Sequence, residues 1–193
     1  MFVITQPGFA EQTITKSRFI AMAVACADER EVGQALRAFA AQHQSAHHLA
    51  YGFRLKTEQG IVPRFSDAGE PSGTAGMPIL KLIEGRDLIN VCVAVIRYYG
   101  GINLGTGGLA RAYGGTAKLA LDAAKTIIFV EMKSYPLTIN YKQMDLLTSA
   151  LSKCNGSIVS KAFNEQIDLV VLLPVDEANN FINRFKPYAE SSK

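Results

Sequence analysis

The chain has 193 residues, 48% of them hydrophobic and 19% charged, with a formal net charge of +3. That suffices for one large or two small globular domains, and it excludes a disordered chain or a basic nucleic-acid arm. The excess charge is uneven: residues 1–133 hold 14 Lys and Arg against 11 Asp and Glu, residues 134–193 hold 6 against 6. No apolar run approaches the roughly 20 residues of a membrane span. The opening MFVITQPGFAEQ lacks the basic lead and apolar core of a secretory signal. Cys26, Cys92 and Cys154 lie far apart in apolar patterns without a CxxC pair, the pattern of core thiols in a reducing, cytoplasmic compartment.

In chain order, residues 16–25 (KSRFIAMAVA) read as a basic lead-in and a strand. Asp28 and Glu31 form a D-x-x-E capping box before Val32, Ala35, Leu36 and Phe39, whose spacing marks a helix ending near Gln42. His47 and His48 open a strand with Leu49, Tyr51, Phe53 and Leu55 on one apolar face, and residues 61–65 return as its hairpin partner. A polar loop, FSDAGEPSGTAG, leads to a short helix over 77–84. Residues 88–96 are a buried strand. A helical stripe then begins near Leu109 and passes through Gly114 and Gly115 to Ala124. Residues 126–132 form a strand or linker, and the domain boundary falls around Lys133.

The second domain repeats a compact order of elements. Residues 137–141 are a strand, and 143–154 a helix with Leu146, Leu147, Ala150 and Leu151 inward and Gly156 as its stop. Residues 157–163 and 166–173 make a hairpin, and Asp176 caps a helix burying Ala178, Phe181, Ile182 and Phe185. The order βαββα is a ferredoxin-like split βαβ that lacks its last strand. The expected class is therefore α+β with two domains, 1–133 and 134–193.

Seven of the sixteen glycines fall in RYYGGINLGTGGLARAYGG, residues 97–115. No acid lies between Asp87 and Asp122, whereas Arg97, Arg111 and Lys118 do. Amide-rich glycine loops in a positive field favour anions. Gly100, Gly101, Gly105, Thr106, Gly107 and Gly108 form one such loop, and Gly73 and Thr74 a second, each before a helix. Tyr98 and Tyr99 beside Arg97 could stack on a single-stranded nucleic acid, or one of them could simply cover the sheet.

Other chemistries find little support. Gly105-Thr106-Gly107-Gly108-Leu109-Ala110 fits G-x-G-x-x-A, but it lies too far from its strand and lacks the later acidic partner of a dinucleotide site. There is no P-loop and no GxSxG elbow, so no cofactor is expected. His47, His48, Ser66, Asp67 and Glu70 make a polar cluster, but adjacent histidines on a strand point to opposite faces and cannot easily share one metal ion. Asp67 and Glu70 could act as an acid–base pair, a reading that rests on proximity alone; the alternative is turn chemistry, in which Asp and Ser bond their own backbone.

KSRFI at 16–20, the histidine pair, FSDAGEPSGTAGMPIL at 65–80 and VIRYYGGINLGTGGLARAYGG at 95–115 resemble the YigZ/IMPACT family in order and spacing. The resemblance spans both halves. It implies an IMPACT N-terminal module similar to the second domain of a small-subunit ribosomal protein, followed by a ferredoxin-like domain similar to the last domain of elongation factor G. Ala68 stands where many members carry a second aspartate. Eukaryotic members restrain the kinase that phosphorylates an initiation factor, so the resemblance implies a translation-linked role. The leading expectation is a non-enzymatic protein binding RNA, the ribosome or a translation-associated protein, with Arg18, Arg97, Arg111 and Lys118 on phosphate. A hydrolase using Asp67, Glu70 and His47, and a protein–protein adaptor, are the alternatives.

Overall fold

Residues 91–98 (VCVAVIRY) are apolar on both sides of the chain, and a sheet has grown on both of their edges. The computed structural model describes residues 1–185. It divides into two compact units, Met1–Phe129 and Val130 onward.

The first unit runs β1 (Phe2–Gln6), β2 (Gly8–Ile14), β3 (Ser17–Ala25), α1 (Glu29–Ala41), β4 (His48–Thr57), β5 (Gly60–Ser66), α2 (Gly76–Gly85), β6 (Val91–Tyr98), α3 (Gly105–Ala123) and β7 (Lys125–Ile128). Five strands form an antiparallel sheet in the order β2-β3-β6-β4-β5, and β1 pairs separately with β7. α2 and α3 cover one face, where Phe19, Val93, Val95, Ile79, Ile83 and Tyr113 interlock. α1 covers the other through Phe39 and Val32 against Ile20, Met22, Ile96 and Phe53. Val91 to Ile96 are fully buried because both faces are roofed.

That double roof corrects the one-sided reading of β4. Its alternate residues Ala50 and Gly52 are also buried, under α2, while Phe53 and Leu55 face α1. β1 and β2 were not legible, since their alternation is blurred by exposed Phe2 and Phe9. Asp28 caps α1 by accepting from the Glu31 amide at 2.8 Å, and Glu31 reaches back to the Ala27 amide at 2.7 Å. α3 opens at Gly105, four residues before its apolar stripe, so Gly105, Thr106, Gly107 and Gly108 belong to a helix start and not to a loop.

The second unit runs β8 (Met132–Ile139), a 3-10 turn (Tyr141–Gln143), α4 (Met144–Lys153), β9 (Ser157–Phe163), β10 (Ile167–Pro174) and α5 (Val175–Phe185). The sheet order is β8-β10-β9, antiparallel throughout, with a core of Leu147, Leu151, Leu169, Val171, Phe181 and Phe185. Leu146 is exposed, contrary to its inward assignment, because Met144 and Leu147 occupy the core side of that turn. Asn155, with φ of 53°, rather than Gly156, adopts the left-handed turn after α4. Asp176 lies inside the first turn of α5. The expected absence of a final strand falls on residues 186–193, outside the described residues. The three cysteines are free and buried. Burial pushes the Cys26 thiol up to about 11, as suits inert packing. The chain is an α+β protein, and no described helix is long and apolar enough to cross a membrane.

Candidate anion cleft at the start of helix α3

The loop from Ser66 to Gly76 is folded around one carboxylate. Asp67 accepts from the amides of Ala75 (2.9 Å) and Gly76 (2.8 Å) through Oδ1, and from Gly73 (2.8 Å) through Oδ2. Burial alone would raise its pKa; the three amides outweigh that and hold the carboxyl below its ordinary value. Ser66 Oγ accepts from the Ala68 amide at 3.3 Å, and the buried Thr74 hydroxyl donates to Pro71 O at 2.6 Å. The start of α2 is thus filled from within.

Three residues on, Glu70 turns inward with a side chain only 4% exposed. Its Oε1 receives Arg97 Nη1 at 2.7 Å and the Tyr113 hydroxyl at 2.8 Å, while His48 Nε2 stands 3.9 Å away. His48 Nδ1 lies 2.9 Å from Ala68 O, a carbonyl, so that nitrogen carries the proton and donates. Burial, then the bond to Glu70, raises the Tyr113 phenol far above its normal range, so it remains a donor. Arg97 is itself buried, with its guanidinium 5.6 Å from the Phe19 ring and 5.0 Å from the Tyr99 ring. Nη2 donates to Ser17 Oγ at 3.3 Å, and Arg97 Nε has no partner among the described residues. A buried N–H left unpaired is costly.

The connection from β6 to α3 closes over this cluster. Gly100 donates to Ser17 Oγ at 3.1 Å and lies so near Lys16 that a Cβ would sit 2.1 Å from its carbonyl. Only glycine fits there. Gly101 and Gly105 take φ of 81° and 68°, after which the helix begins. Leu104 stands at the cap position of α3 with no capping side chain, and the first turn holds no acid. No side chain among the described residues accepts from the amides of Gly105, Thr106 or Gly107. Gly105 and Thr106 open on a cleft of about 430 Å³ lined also by Arg97, His48, Glu70, Tyr99 and Asn103 among others.

The remaining sequence candidates are dispersed. Arg18 is tied to Glu11 at 2.6 and 2.9 Å and lies over the Tyr98 ring. The Tyr98 hydroxyl meets His43 Nδ1 at 3.0 Å, so this tyrosine covers the sheet. His47 is exposed and accepts from the Tyr99 amide at 3.2 Å through Nδ1. Lys118 pairs with Asp122 at 2.8 Å on the surface, while Arg111 is exposed and without a side-chain partner among the described residues. Tyr113, Ser17 and Asn103 had no flag in the sequence. Tyr113 sits in an apolar helical stripe and reads as core until Glu70 is seen against its hydroxyl. Among the described residues no three His, Cys, Asp or Glu side chains gather as metal ligands.

Residues 15–121, more than half of the chain, match the family model of the Impact N-terminal domain. The chain belongs to the IMPACT family. It is 34% identical over 188 residues to IMPACT family member YigZ of Escherichia coli (strain K12), covering 96% of this chain and 92% of that one. An IMPACT family member of Haemophilus influenzae is 38% identical over 166 residues, covering 83% and 79%. A solved structure described as a hypothetical protein superposes with a TM-score of 0.70 at 32% identity, covering 95% of this chain and 89% of that chain. The IMPACT module holds the whole Glu70–Arg97–Tyr113–His48 cluster, the Asp67 loop and the start of α3.

Proposed function

We propose that this IMPACT-family chain is a non-enzymatic regulatory protein that binds RNA of the translation apparatus, taking a backbone phosphate at the start of α3. The observation that supports it is a cleft at the start of α3 where the amides of Gly105 and Thr106 meet no side-chain acceptor among the described residues and the Arg97 guanidinium forms part of the lining. A helix of 19 residues presents the positive end of its dipole there, and no acid in the first turn competes for it. Exposed Tyr99 offers a stacking surface at the rim, and Arg111 lies within two turns of the amides as an unpaired cation. Residues 1–133 carry the site in this reading, residues 134–193 serve as a ferredoxin-like accessory domain, and the protein works in the cytoplasm. A hydrolytic role for Asp67 is disfavoured, since its oxygens already hold the start of α2. The test is binding of labelled single-stranded RNA to the full chain across a salt series. Arg111→Ala is expected to reduce the slope of log K against log salt by about 1. An unbound or salt-insensitive RNA contradicts the proposal.

A further inference from the structure

A second recess lies beside α3, between it and α2. It is a groove of about 530 Å³ whose floor is Met77, Pro78 and Leu82 from α2 with Ala110 and Gly114 from α3. Its rim carries Lys81, Arg111 and Lys118, and no acidic residue lines it. Asp122, one turn beyond Lys118, is shared between Lys118 and Arg86, so its charge is matched twice. The nearest atom to a Cβ placed on Gly114 would be Pro78 Cβ at 3.6 Å, so the glycine leaves the floor flat without being required for the fold.

From this we infer that the groove docks an amphipathic helix of a partner protein, aliphatic on one side and flanked by Asp or Glu. The groove runs about 12 Å along α3 from Ala110 to Lys118 at 1.5 Å per residue, which matches two turns of a docked helix. Small residues on the floor let helix backbones approach closely, and the thioether of Met77 adapts to varied aliphatic anchors. The three rim cations select acidic flanks and repel basic ones. An RNA strand is the poorer occupant. The groove offers no aromatic ring on which a base could stack, unlike the cleft at the start of α3.

The test is selection of displayed random peptides of about 16 residues, some four helical turns, on the immobilised full chain, with Gly114→Leu in parallel. Peptides enriched on the wild type and lost on Gly114→Leu should carry apolar residues at i, i+3 or i+4 and i+7 with Asp or Glu beside them. Lys81→Glu, a surface change that leaves the floor intact, should weaken a selected peptide by about tenfold. Circular dichroism checks that both variants stay folded. No enrichment, basic flanks, or equal enrichment on Gly114→Leu overturns the inference. So does a single-stranded RNA whose binding depends on Lys81 while selected peptides ignore it. The peptide outcomes do not bear on phosphate at the start of α3, since neither Gly114 nor Lys81 lines that cleft.

Discussion

Helices α2 and α3 begin alike in sequence, each after a glycine-rich loop, and they end up chemically opposite. At α2 the amides of Ala75 and Gly76 are consumed by Asp67 from the same loop. At α3 no side chain caps the corresponding amides, the first turn holds no acid, and the one carboxylate in the cleft lining, Glu70, is held by Arg97 and Tyr113. A carboxylate eight residues upstream converts an anion site into a structural joint. Glycine density alone cannot distinguish the two. The same contrast separates the paired acids of SDAGEP: Asp67 secures a helix start, and Glu70 neutralises a buried arginine.

The largest expected effect comes from the neutralising partner. Glu70→Ala leaves Arg97 buried and uncompensated, which costs about 3–5 kcal/mol when one member of a buried pair is removed. Urea unfolding of the variant measures it. Asp67→Ala strands three amides and should cost about 1–3 kcal/mol by the same assay. Because the folded pKa of Asp67 is depressed, its contribution is fully present above the unfolded carboxylate value of about 3.9 and is lost as pH falls through the lower folded value. Asp67→Asn should therefore flatten the acid limb of a stability–pH profile below about pH 4. Arg111→Ala, on the exposed side of α3, should shift stability by no more than about 0.5 kcal/mol while weakening RNA binding. A modest gain in stability is the most informative. Thr106→Asp gives α3 a carboxylate at its start, as Asp67 supplies one to α2 from the preceding loop, and should stabilise by about 0.3–1 kcal/mol.

Much of this was legible in the chain itself. The α1 cap, the 61–65 return strand, the buried run before Arg97 and the second βαββα order follow from periodicity and turn chemistry. What escaped has common causes. β1 and β2 carry exposed aromatics that break alternation, and Leu146 fits a helical stripe without reaching the core. Arg97 looked like a surface cation because its burial depends on Glu70, 27 positions away in sequence. Tyr113 was hidden for the mirror reason: only its hydroxyl is polar, and the partner lies 43 positions away. The helix start at Gly105 precedes any apolar stripe, so hydrophobic spacing placed it late.

The measurement that bears most directly on the difference between the two helix starts is RNA binding by Thr106→Asp beside its stability. The expected result is a chain at least as stable as the parent in urea that no longer binds single-stranded RNA at low salt. Undiminished, salt-sensitive RNA binding by that variant would contradict it, and would remove the start of α3 from the RNA surface.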